Sequence, residues 1–233
     1  MIDGHMLRIK NLTKKFGELE AVSNLSFEVK EHECLGIIGP NGAGKTTVFN
    51  VISGFFKPTS GMIEFMGRNI VGKKPHELVK LGLTRTFQVI RVFKNMTVLE
   101  NFSAITDKEE EFMKELELWE KRSYLAKDLP QGDLRRLNLG MALATNPKML
   151  LLDEPFSGLS PKEGVELGKV IKKLKEKGMT MIIIEHKLKE LFNHVERVLV
   201  LNYGRLICEG TPQEVVKDAK VIAAYLGVGY EST

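Results

Sequence analysis

The chain has 233 residues, 43% of them hydrophobic and 27% charged, and a formal net charge of +4. That length supports a full hydrophobic core with room for a smaller subdomain. The modest, dispersed charge does not mark a nucleic-acid binder, two cysteines cannot build a metal-finger array, and no apolar run approaches 18 residues.

Residues 1–6 lack the apolar core of a signal peptide. Leu7-Arg8-Ile9-Lys10 and Leu25-Ser26-Phe27-Glu28-Val29-Lys30 alternate and read as antiparallel edge strands. Cys34-Leu35-Gly36-Ile37-Ile38 is continuously apolar, as a buried parallel strand requires. Gly39-Pro40-Asn41-Gly42-Ala43-Gly44-Lys45-Thr46 follows, and residues 46–52, from Thr46-Thr47 onward, suit a helix. This strand-loop-helix order is the context of a phosphate-binding loop. Gly42 and Gly44 open backbone geometries closed to other residues, so that N–H groups face phosphate oxygens at the positive end of the helix. Lys45 is expected to reach the β- and γ-phosphates of a nucleotide, and the Thr46 hydroxyl to ligate Mg²⁺.

Residues 61–67 read as another strand, and residues 75–143 turn mostly helical. Within them, residues 109–121 place Phe112, Met113, Leu116 and Trp119 on one helical face. Trp119 is therefore read as facing the core rather than as a platform for an adenine. The acidic run 107–111 reads as a solvated face and helix start.

Strands return at Met149-Leu150-Leu151-Leu152-Asp153 and at residues 179–184, with a helix at 162–177 between them. Residues 195–201 and 205–208 suit further strands, and two short helices finish the chain. Apolar strands joined by helices predict an α/β fold whose parallel sheet is covered on both faces. Cys34 and Cys208 fall in such apolar runs and suit a reducing compartment. Asp153, at the carboxyl end of its strand, is placed to hold Mg²⁺. Glu154 follows and is placed to orient or deprotonate a water.

With the loop and Asp153-Glu154 together, the chain resembles the ATP-binding subunit of an ABC transporter over essentially its whole length. The resemblance implies a P-loop NTPase core, an N-terminal antiparallel β-subdomain and an inserted helical subdomain at about 89–145, in a single domain over 1–233. It implies that the Phe16 ring stacks on adenine. Gln88, in Thr86-Phe87-Gln88, would sense Mg²⁺ and the attacking water, and His186 would contact the γ-phosphate. The signature segment reads Leu129-Pro130-Gln131-Gly132-Asp133, where the family usually has Leu-Ser-Gly-Gly-Gln. Gly132 remains, and a helix starting there would aim its dipole at a γ-phosphate across a dimer interface. Ser160 stands where relatives often carry an Asp and is read as a hydrogen-bonding group at that interface.

Residues 85–88 with 93–101, residues 159–163, and the segment from Gly210-Thr211-Pro212 to Gly227 resemble the branched-chain amino-acid importer type. Residues 102–129 are shorter than that type leads one to expect. The resemblance implies ATP hydrolysis with Mg²⁺, at the cytoplasmic face of a membrane. The implied partners are membrane permease subunits, a second ATPase subunit and an external solute-binding protein. Urea, lipid or lipopolysaccharide is the alternative cargo. A soluble ABC ATPase of DNA repair, chromosome organisation or translation is disfavoured by the single cassette and the absence of a long coiled coil. A metabolite kinase lacks the family positions of Glu154, Gln88 and His186.

Overall fold

The computed structural model describes residues 4–226; residues 1–3 and Gly227 onward lie outside it. Strands β1 (His5–Phe16) and β2 (Leu19–Lys30) form an antiparallel pair much longer than the alternating segments at 7–10 and 25–30. Register shifts between Ile9, Leu12, Lys14 and Lys15 explain the difference. Each bulge breaks the two-residue period that reveals a strand in sequence. Nor is β1 an edge: β4 (Ser60–Phe65) pairs with its other side, and β5 (Arg68–Asn69) extends the sheet. The order is β2-β1-β4-β5.

Between these strands lie β3 (Cys34–Ile38) and α1 (Lys45–Ile52). Next come α2 (Pro75–Leu81) and β6 (Leu83–Arg85). The expected helical stretch is therefore interrupted by a strand, which at three residues is too short to show a period. Helix α3 (Val98–Ser103) is capped by Thr97, whose Oγ1 accepts from Glu100 N–H. Helix α4 (Glu109–Glu115) ends where Glu117 adopts φ +58°, so residues 109–121 are not one helix. Trp119 lies in a following 3₁₀ turn, packed against the core as expected and flanked by Lys114 and Arg122.

Helix α5 (Gln131–Leu143) leads to β7 (Met149–Asp153), α6 (Pro161–Glu176), β8 (Thr180–Ile184), α7 (Leu188–Phe192) and β9 (Arg197–Asn202). Strand β10 (Arg205–Gly210) and helices α8 (Pro212–Val215) and α9 (Ala219–Leu226) finish the described chain. The larger sheet runs β10-β9-β3-β8-β7-β6, parallel except for β10.

Its central strands β3, β7 and β8 are buried at every position and, apart from Asp153 and Thr180, carry no strongly polar residue, because both faces are covered. Cys34, Ile38, Leu150, Leu152, Ile183 and Val200 point to the side of α5 and α6. Leu35, Ile37, Leu151, Ile182, Ile184 and Leu199 point to the side of α1 and the antiparallel sheet. This is an α/β P-loop NTPase core with an antiparallel β-subdomain and inserted helices. Its carboxyl strand ends bring the loops after β3, β6, β7 and β8 to one edge, where open parallel sheets bind ligands. Among the described residues no helix is long and apolar enough to cross a membrane.

Candidate functional site

A groove of about 410 Å³ opens at that edge, lined by Phe16, the 41–47 loop, Glu154 and Tyr203. The loop is shaped by contacts a side chain would destroy. A Cβ on Gly39, at φ +150°, would sit 2.1 Å from the Leu201 carbonyl oxygen, and one on Gly44, at φ +97°, 2.5 Å from that of Ala21. Gly42, at φ +81°, also takes the left-handed geometry expected of it. No side chain caps α1 at Gly44, which leaves its first N–H groups for an anion. Thr46 is exposed, Thr47 half-buried and Ala43 buried.

The Lys45 ammonium folds back over its own loop, donating to the Gly39 carbonyl at 2.7 Å and the Pro40 carbonyl at 3.0 Å. Burial lowers its pKa below the usual value, against the pull of Glu154 and Asp153. Phe16 is 42% exposed and meets Phe56 edge-on at 5.3 Å, with the Lys14 ammonium over its ring. One face of the site is thus a fixed, partly open aromatic.

Across from the loop, Gln88 Nε2 donates to Glu154 Oε2 at 2.7 Å, and His186 Nδ1 lies 3.5 Å from the same oxygen. Glu154 itself holds φ +47°, a costly conformation for a non-glycine residue, fixed by its N–H donating to the Ile184 carbonyl. Glu185, fully buried, anchors the neighbouring turns by accepting from the N–H groups of Phe156, His186 and Lys187. Asp153 is buried, and its Oδ2 accepts from Arg85 Nη2 at 2.6 Å. Arg85 also donates to Asn50 and Ser53 and lies over the ring of Phe87.

Gly132 is not in the groove. It starts α5 on the far side of the loop after β7, where its N–H donates to Glu163 Oε1 at 2.9 Å. Ser160, read from sequence as an interface group, caps α6 together with Glu163. Arg85, Arg135, Glu163, Glu185 and Tyr203 also shape the site, outside the residues expected from sequence. Arg85 is the one with a visible signal, since it opens the Arg85-Thr86-Phe87-Gln88 segment at a strand end.

The profile of the ABC transporter family matches residues 22–157, and that of the branched-chain amino acid ATP-binding cassette transporter matches residues 205–231. The chain is 37% identical to the high-affinity branched-chain amino acid transport ATP-binding protein LivG of Salmonella typhimurium, over 95% of this chain and 98% of that protein. BraF of Pseudomonas aeruginosa, which carries the same description, is also 37% identical over the same shares. The first of these alignments runs over 249 positions, so the relative carries segments that this 233-residue chain lacks.

A crystal structure of an ATP-binding cassette of an ABC transporter in its ADP conformation superposes with a TM-score of 0.89, at 35% identity, covering 96% of this chain and 99% of that one. A dimeric post-hydrolysis cassette bound to ADP and phosphate superposes at 0.77, with 28% identity, 89% of this chain and 99% of that one. A phosphate loop at the strand edge and two acidic residues facing it across the sheet agree with these matches: the chain belongs to the ABC transporter family, as an ATP-binding and ATP-hydrolysing subunit.

Proposed function

We propose that this subunit powers the import of branched-chain or other amino acids through separate membrane permease subunits, fed by an external solute-binding protein, from the cytoplasmic face of the membrane. The single observation that carries the site reading is the convergence of Gln88 and His186 on one Glu154 oxygen, on the wall facing the phosphate loop. Residues 89–145 would form the helical subdomain that meets the membrane subunits.

In this reading, Phe16 stacks on the adenine, and the N–H groups of residues 39–47 with Lys45 hold the phosphates. Two carbonyls now occupy the Lys45 ammonium, so nucleotide binding draws it off Gly39 and Pro40. Glu154 orients or deprotonates the attacking water, Gln88 fixes the Glu154 carboxylate, and His186 contacts the γ-phosphate. Gly132 serves the phosphate of a second ATPase subunit, homologous or identical, arranged head to tail.

Mg²⁺ fits the donors present. Thr46 offers a hydroxyl, Asp153 has one oxygen outside its Arg85 contact, and Gln88 donates through its nitrogen, leaving its carbonyl oxygen. Among the described residues no three His, Cys, Asp or Glu side chains cluster for a metal. A cation held by one carboxylate together with substrate phosphates needs no such cluster. When bound, it would neutralise charge on the β- and γ-phosphates.

The test is Glu154→Gln. It is expected to bind ATP as the wild type does, to lose about 10²-fold or more in turnover, and to dimerise with ATP, alone or with a paralogue. Wild-type hydrolysis would remove Glu154 from its role. Cargo is tested by ATP-driven leucine uptake into vesicles carrying this subunit with the permease subunits that co-purify with it, and no uptake would count against amino-acid import.

A further inference from the structure

Arg135 sits one turn into α5, three residues beyond Gly132, and its side chain is almost wholly buried. Its Nη1 donates to the backbone carbonyl of Gln88 at 2.9 Å, and its Nη2 to the backbone carbonyl of Ser157 at 3.0 Å. Gln88 follows β6, and Ser157 follows β7 and Glu154. One planar fork thus ties the N-terminal part of α5 to the two loops that leave the paired strands β6 and β7. A guanidinium can serve two carbonyls in fixed directions, which a lysine ammonium cannot do with the same geometry. Burial lowers the Arg135 pKa, with Glu185, Glu154 and Asp153 pulling the other way, and the group stays a cation. Placing a full positive charge here, rather than a neutral donor, matches the acidic wall behind the groove.

We propose that Arg135 is a positioning residue for ATP hydrolysis, which locks the backbone of Gln88 and of the turn after Glu154 to the helix that presents Gly132. The inference rests on the reading above, in which Gln88 and Glu154 act on this subunit's own ATP while Gly132 faces the partner's. One side chain thereby ties the hydrolytic arm of one half-site to the phosphate-facing helix end of the other. Without the fork, Gln88 can drift while its side chain is asked to hold Glu154 Oε2 at 2.7 Å. Misplacement by about 1 Å costs on the order of 10²-fold in rate.

The test compares the full-length wild type with Arg135→Lys, Gln88→Ala, the double variant and Glu154→Gln. Steady-state ATPase activity and titration with a fluorescent ATP analogue are measured on each. Arg135→Lys is expected to lower kcat about ten-fold or more, to leave KM and analogue affinity within about two-fold, and to lower the Hill coefficient for ATP. In the Gln88→Ala background the same change is expected to cost clearly less than it does in the wild type, because the Gln88 side-chain contact to Glu154 that Arg135 positions is already gone and only the Ser157 arm remains. Wild-type kcat in Arg135→Lys, or an equal loss in both backgrounds, overturns the proposal. Lost analogue binding in Arg135→Lys also overturns it, since the residue would then be holding up the fold. Glu154→Gln separates the two levels. If it still turns over, the reading of Glu154 fails; if it is inactive while Arg135→Lys is normal, only the Arg135 inference fails.

Discussion

The backbone N–H of Gly132 and the carboxylate of Glu163 are joined by a 2.9 Å hydrogen bond, so one side chain caps two helices. Glu163 Oε2 accepts from the N–H and the Oγ of Ser160 at the start of α6, while Oε1 takes the N–H at the start of α5. These contacts, the Ser160 side chain first among them, hold the Glu163 pKa below its usual value, so it is an anion at neutral pH. An anion at this helix end stands where the partner's γ-phosphate is proposed to dock.

Glu163→Ala is therefore expected to tighten ATP-driven dimerisation while weakening the α6 cap. In the Glu154→Gln background, the ATP concentration for half-maximal dimer should fall roughly three-fold, the size of one charge at a helix end. Light scattering against ATP concentration measures it. An unchanged or raised midpoint would show that Glu163 does not compete with phosphate.

Arg85 and Asp153 form a buried ion pair, each side chain about 5% exposed. Removing one partner strands the other charge, and Arg85→Met is expected to lower stability by about 3–5 kcal/mol in urea unfolding. Asp153→Asn in the same chain should recover part of that loss, because the stranded charge is gone. Additive losses in the double variant would show that the pair carries no coupling.

Cys34 is buried in β3, and burial, with help from Glu196, pushes its thiol up to about 12. The thiolate is the reactive form, so Cys34 should escape iodoacetamide at pH 8 in the native protein and react in urea. Mass spectrometry of the alkylated peptides reads the result, and rapid native labelling of Cys34 would contradict its burial. The sign for stability follows from the same shift. The unfolded thiol ionises near its ordinary value of 9.0 while the native one does not. Cys34 thus contributes fully below pH 9, and its contribution is lost as pH rises toward 12.

Much of the site was legible because its chemistry is written in contiguous residues. The 39–46 loop and the 149–154 strand end each show their context locally, and both lie where that context puts them. The long β1 and β2 were only half legible, since bulges at residues 9–15 spoil their alternation. The three-residue β6 was hidden inside a helical-looking stretch, although it carries Arg85 to Asp153. Gln88 and His186 carried no chemical signal of their own, and resemblance alone picked them out.

The sequence by itself determined the phosphate loop, the acidic strand end and the two-sided apolar sheet. Each depends on residues within one or two elements, where steric rules and periodicity act directly. Only the tertiary structure decided which side chains share a partner. Gln88 and His186 meet at Glu154 across 66 and 32 positions, Arg135 bridges Gln88 and Ser157, and Glu163 holds the N–H of Gly132. Those contacts follow from the order in which parallel strands stack and from the loops they bring to one edge. No local pattern encodes that order, because buried apolar strands of nearly the same composition are interchangeable until they pack.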